Sequence, residues 1–253
     1  MTGSLPFDRV ADRYDETRGG IERGLRTAAD LGPWLLPGPV LEVGVGTGLV
    51  ATALRDAGHA VYGVDLSPAM LTRARDRLGD RVSIGDARAL PVRDRAVSTV
   101  VFVAALHAIR DVPAALREAA RVLASGGRVA AVHALSIADI DGERDDMTRA
   151  TASLDPLRLA RPDRPDAVDA AASAAGLTRV YAGRVGPIFT PESPAQVAAH
   201  IRDRVWSFLW PVDDATWDAV VEPAITALLR LPDPDRPRAR PIFQRLAVYS
   251  RPG

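Results

Sequence analysis

Between Pro39 and about Leu135, short apolar runs rich in β-branched residues alternate with stretches whose apolar residues recur every three or four positions. Nothing else in the sequence narrows the fold as much. A strand apolar on both faces must be covered on both, and helices threaded between such strands do this only as βαβ units around a parallel sheet. The strand candidates are "VLEV" (40–43), "AVYGVDL" (60–66), "VSIGD" (82–86), "VSTVVFVAA" (97–105) and "RVAAVHAL" (128–135).

Helix punctuation agrees with this reading. Ser67 is placed to cap a helix with Pro68 at its first position and Leu71, Ala74 and Leu78 on one face. Asp111 opens "VPAALREAARVLA", expected to run to a left-handed stop at Gly126-Gly127. Beyond 135, "SIADIDGERDDMTRATASLDPLRLARPDRP" reads as loop with a short helix, and "DAVDAAASAAG" as a helix leading into a sixth strand, "LTRVYAGRV". "SPAQVAAHIRDRVWSFLW" and "DDATWDAVVEPAITALLRL" read as a helical pair, and "IFQRLAVYS" as a seventh strand. One domain over 1–253 is expected, with an N-terminal helical segment (1–36), a ligand-binding core (37–135) and a helical lid at about 189–235.

Composition excludes several classes of function. The 253 residues carry 32 basic and 32 acidic side chains, so no basic excess favours nucleic acid or an anionic membrane. Cys is absent, which removes disulfides and thiolate metal sites, and no two of the four His stand at ligand spacing, so no metal is expected. No apolar run reaches signal or membrane-spanning length, and a cytoplasmic protein is expected. Lys and Asn are missing altogether while Arg abounds. A GC-rich genome accounts for that without reference to function.

The chemistry concentrates in "LEVGVGTG", where Gly44, Gly46 and Gly48 follow the first strand. A dinucleotide loop has the spacing G-x-G-x-x-G, and Leu49 stands where its third glycine belongs. Glu42, two residues ahead, is poorly placed for a pyrophosphate and well placed for a ligand amine. Asp65 closes the second strand, where a carboxylate can accept from both hydroxyls of a ribose. Asp86 follows the third and can accept from an adenine amino group, with the Ala87 backbone at the ring edge. One adenosine carrying an amino-acid tail would satisfy all three carboxylates.

In order and spacing, "LEVGVGTG", "VYGVDLSPAML", "GDARALP", "LHAIRD" and "EAARVLASGGRV" resemble the class I S-adenosylmethionine-dependent methyltransferases, specifically the broad small-molecule group. The opening "FDRVADRYDETRG" is similar to that family's N-terminal segment, which implies Tyr14 and Arg18 near the methionyl carboxylate. Carried over with the motifs, Val45, Leu66, Met70, Gly85 and Val103 join the expected cofactor contacts. Two departures concern scaffolding: Ser98 stands where the family has Asp, and Ser125 replaces the Pro of a Pro-Gly-Gly turn.

The resemblance implies an α/β, doubly wound, seven-stranded and mostly parallel sheet, its last strand antiparallel in a hairpin with the sixth. It also implies methyl transfer from S-adenosyl-L-methionine to a small acceptor, apolar or aromatic if Trp206, Phe208, Trp210 and Trp217 line a pocket. Those aromatics serve equally well as packing between the lid helices. His107, just past the fourth strand, is the candidate general base, with a packing or capping role as its alternative. His133 reads as structural, and His59 and His200 as exposed. Other readings of the chain are a methyltransferase-like protein catalysing a cyclisation or rearrangement, a nicotinamide oxidoreductase, and a noncatalytic binding protein.

Overall fold

The structure is a computed structural model that describes residues 6–9, 11–17, 19–136, 144–189 and 191–253. The strands are β1 (Pro39–Val43), β2 (Ala60–Asp65), β3 (Val82–Ile84), β4 (Val97–Val103), β5 (Leu123–Ser136), β6 (Thr178–Phe189) and β7 (Pro241–Ser250). They form one sheet in the order β3-β2-β1-β4-β5-β7-β6, mostly parallel with some antiparallel strands. Helices α1 (Gly20–Leu31), α2 (Leu49–Asp56), α3 (Pro68–Leu78), α4 (Val112–Val122) and α5 (Pro165–Ala174) flank it.

Strand periodicity decides what each face buries. Leu41, Val43, Val100, Phe102, Val129 and Ala131 pack with Leu116 and Ala119 of α4 and Val168 and Ala172 of α5. The alternate residues Val40, Val61, Val101, Ala130 and Val132 pack with Leu31 of α1, Val50 and Leu54 of α2 and Leu71 of α3. Ser98 ties two strands together, its hydroxyl donating to Pro39 O at 2.9 Å. Val43 pairs with Val64, so β1 and β2 end close together, whereas β5 runs on past Val132, the partner of Val103 at the end of β4. Strand order reverses between β1 and β4, the place where open α/β sheets form their ligand crevice.

Several boundaries differ from the sequence reading. β3 stops at Ile84 rather than Asp86, because Asp86 turns to bridge Ala89. β4 ends at Val103 because Ala104 adopts φ 47°. α4 ends at Val122 rather than at the glycines: Leu123 already pairs with Val97, and Gly126 (φ 70°) lies in the irregular stretch before Arg128 pairs with Thr99.

The chain divides into two compact units. The first comprises Met1–Ala134, Pro162–Ile188 and Gln244–Gly253; the second comprises Leu135–Arg161 and Phe189–Phe243. The second has its own core, in which Met147 and Leu154 join Ile201, Leu209, Ile225 and Leu228. Its helices are shorter than expected. α6 (Pro194–Arg202), opened by a Ser193–Gln196 capping box, stops before Arg204, which takes φ 48° and donates to Leu209 O and Val212 O. α7 (Glu222–Leu229) is entered through a π-helical turn, Trp217–Val221, just ahead of Pro223, which has no N–H to continue an α-helical ladder. No helix among the described residues is long and apolar enough to cross a membrane.

Candidate cofactor-binding site

The turn after β1 is built on left-handed backbone at Gly44 (φ 75°), Gly46 (φ 56°) and Gly48 (φ 83°). The amides of Gly44 and Val45 both donate to Val64 O, at 2.8 and 3.0 Å, which locks the turn to the end of β2. Gly44 has a second constraint: a Cβ there would lie 2.6 Å from the Cβ of Ala105.

Asp65 faces this turn. Its Oδ2 accepts from Gly46 N at 2.8 Å and its Oδ1 from Ser67 N at 2.9 Å. Each carboxylate oxygen keeps lone-pair capacity for a further donor. Burial raises its pKa, and these backbone hydrogen bonds oppose the rise. Ser67 caps α3 as expected, its hydroxyl accepting from Met70 N at 3.2 Å.

Glu42 is 2 % exposed, and its Oε2 has no hydrogen-bond partner. Burial pushes its carboxyl from 4.5 to about 8; a hydrogen bond from the Ala51 backbone opposes the rise, and the charge of Asp65 adds to it. An unpaired charge there would be costly, so a bound cation is the natural complement of this side chain.

At β3, Gly85 N donates to Asp65 O at 3.0 Å, and a Cβ on Gly85 would lie 2.8 Å from Pro91 Cδ. Asp86 accepts from the Arg88 side chain, at 2.6 Å from Nη2, and from the Arg88 amide at 2.9 Å. The guanidinium hydrogen bond holds its carboxyl below the ordinary value. Ala87 and Val103 are half-buried, Leu66 is exposed and Met70 is buried.

His107 lies in a short 3₁₀ turn, Leu106–Ala108, past β4. Its ring meets that of Phe7 edge-on at 6.3 Å, and Phe7 in turn meets Tyr14 at 6.5 Å. Arg18 lies outside the described residues. Near Tyr14, Asp12 pairs with Arg73 and Asp15 with Arg77. His133 is buried, its Nδ1 2.8 Å from Asp163 O. Since a carbonyl only accepts, Nδ1 carries the proton. His59 is half-buried, and so is His200, which pairs with Glu192 at 3.0 Å and packs on Trp206; the expectation of exposure is corrected for both.

The aromatics of the second unit are anchored within it. Trp206 and Phe208 stack at 6.2 Å, Trp210 Nε1 donates to Arg204 O at 2.7 Å, and the Arg204 guanidinium lies 4.2 Å from the Trp217 ring centre. Among the described residues no cluster of three or more His, Asp or Glu could hold a metal ion.

Sequence reasoning missed Phe7, Asp8, Asp15, Thr47, Arg77 and Arg88. The signal was present: acidic residues at 12 and 15 pair with Arg73 and Arg77 of the "RARDR" stretch of α3, while Asp8 meets Ser67 at the start of that helix. Opposite charges so far apart pair only once the fold is known.

Comparison with known proteins finds likenesses over the segment that carries this turn. Residues 41–131 match the family model of a methyltransferase domain. An uncharacterized methyltransferase of Geobacillus thermodenitrificans is 31% identical over 131 residues, covering 49% of this chain and 59% of that protein. The demethylmenaquinone methyltransferase of Tropheryma whipplei is 34% identical over 134 residues, covering 49% of this chain and 55% of that one. The chain thus spans between half and two thirds of the length of these curated relatives. Among solved structures, a chain from the complex of a Haloferax volcanii methyltransferase activator with a putative methyltransferase shares the fold. It is 23% identical, has a TM-score of 0.60, and the match covers 98% of both chains. Residues 41–131 thus resemble a methyltransferase domain, and the strand order and glycine turn that they carry agree with that likeness.

Proposed function

We propose that the chain transfers a methyl group from S-adenosylmethionine to a small organic acceptor. The observation that carries this reading is the pair of carboxylates at the ends of β1 and β2, where buried Glu42 has an unpartnered oxygen and half-buried Asp65 has spare acceptor capacity. Both fit the cofactor: Glu42 would hold the methionyl ammonium and Asp65 the ribose hydroxyls. Asp86, with the Ala87 backbone, would take the adenine edge, flanked by Leu66, and Tyr14 would stand near the methionyl carboxylate. S-adenosylmethionine, when bound, supplies a methyl group already activated on a sulfonium.

The contribution left to the chain is orientation and exclusion of water, worth up to roughly 7–11 kcal/mol in favourable cases. His107, on its turn past β4, would take a proton from a hydroxyl acceptor, adding about 10²–10⁴-fold. The Tropheryma whipplei relative, named for a quinone substrate, supports an apolar or aromatic acceptor.

Calorimetry with S-adenosylhomocysteine tests the site. Uptake by the wild type that is lost in Asp65→Ala is expected, whereas stabilisation by NAD(P) and not by S-adenosylhomocysteine would refute the reading. Incubation with methyl-labelled cofactor and a panel of acceptors tests the chemistry, because conversion without label points to rearrangement instead.

A further inference from the structure

We infer that Asp15 is a positioning residue for cofactor uptake, the joint through which the N-terminal segment closes when the glycine turn is occupied; the inference rests on the reading of that turn as the S-adenosylmethionine site. Asp15 lies on the short helix Tyr14–Thr17. Its Oδ1 accepts from Thr47 Oγ1 at 2.5 Å, and its Oδ2 from Arg77 Nη2 at 2.7 Å. Arg77 closes the ring by donating from Nη1 to Thr47 O at 2.6 Å. Three segments distant in sequence thus meet on one residue of the turn, and that residue is 2 % exposed.

The turn is therefore gripped at consecutive positions, with Asp65 on the amide of Gly46 and Asp15 with Arg77 on Thr47. A shift of the turn on taking up ligand must be transmitted to Asp15. The same N-terminal segment brings Phe7 against His107, and Asp8 accepts from Ser67 Oγ at 2.5 Å, two residues past Asp65. Its docking accordingly covers the reacting end and the ribose end together.

Asp12 offers a contrast within the same segment. It also pairs with an arginine of α3, Arg73, at 2.7 Å, but its side chain is 92 % exposed against 22 % for Asp15. Solvent screens the first pair, which contributes little, and screens the second much less. Two charge-assisted hydrogen bonds on a shielded carboxylate can hold a segment in place; one on an exposed carboxylate does not.

The test compares S-adenosylhomocysteine affinity and amide hydrogen exchange over residues 11–17 in the wild type, Asp15→Ala, Thr47→Val and Asp12→Ala. Ligand should slow exchange in the wild type and in Asp12→Ala. Asp15→Ala should lose that slowing and bind about tenfold or more weakly. Thr47→Val, which removes the hydroxyl and keeps the carbonyl for Arg77, should fall between them. The Asp15→Ala/Thr47→Val double variant should bind no more weakly than Asp15→Ala, since both changes remove the same bond. Unchanged affinity or retained slowing in Asp15→Ala overturns the inference, as does full additivity of the pair. If Asp15→Ala does not fold, wild-type behaviour of the near-isosteric Thr47→Val overturns it. Absence of uptake by the wild type overturns both this inference and the reading of the site, whereas uptake indifferent to Asp15 overturns this one alone.

Discussion

Replacing Glu42 with Gln should strengthen the empty protein and weaken the loaded one. Burial holds the carboxyl at about 8 against 4.5 for an ordinary glutamic acid. Below about pH 4.5 folded and unfolded chains both carry this proton. As pH rises toward 8 the unfolded chain releases it while the folded chain keeps it, so stability falls with rising pH and levels off above 8. At about 1.4 kcal/mol per pH unit, the full interval costs the wild type about 5 kcal/mol, of which about 3 is already lost at pH 7. The amide of the Glu42→Gln variant has no such proton to lose. Urea denaturation followed by circular dichroism, at steps from about pH 5 to 8.5, gives the difference between variant and wild type. Asp65, whose pKa is also raised, is present in both proteins and largely cancels from that difference.

The difference should climb by about 1.4 kcal/mol per pH unit to near pH 8 and then flatten. Affinity for S-adenosylhomocysteine should move the opposite way. If the ligand ammonium binds the ionised carboxylate, wild-type affinity gains about tenfold per unit up to about pH 8, while the variant shows no such gain. Parallel stability curves would refute the burial argument. A climbing stability difference with identical affinity profiles would instead refute the assignment of the amine to Glu42.

Gly44→Ala should cost about 2–4 kcal/mol in denaturation, because it combines left-handed backbone with a clash against Ala105; a loss under about 1 kcal/mol would show that the turn can relax. Tyr249→Phe removes a 2.7 Å hydrogen bond from a buried hydroxyl to Asp169 Oδ1 and should cost about 1.5–3 kcal/mol without altering cofactor affinity; any change in affinity would contradict a purely structural role.

Much of the fold was legible because its signals are local. Ser67 and Asp111 cap the helices they were expected to cap, since a side chain three residues from its amide partner needs no tertiary context. The strand ends were less legible. Ala104 leaves β4 through a positive φ that no residue type announces, and Leu123 joins β5 because Val97 lies beside it, overriding the helical preference of the segment. At the proposed site, the glycines, Glu42 and Asp65 could be read together from their spacing because they meet around one turn. The Asp15–Thr47–Arg77 ring was hidden, as its members stand 32 and 62 positions apart and meet only through the packing of α3.

The position of β7 governs how this molecule can be made. Although seventh along the chain, β7 lies between β5 and β6, so β6 has no place in the sheet until β7 arrives. During synthesis the nascent polypeptide can pair its first five strands but must carry β6 unzipped, with β5 presenting an open margin, while some fifty intervening residues (Thr190–Arg240) emerge. At about 5–20 residues per second that interval lasts several seconds, during which the half-built sheet is exposed to β-pairing with other chains. Yield on overexpression should therefore respond more to translation speed and chaperone supply than to the stability of the finished protein.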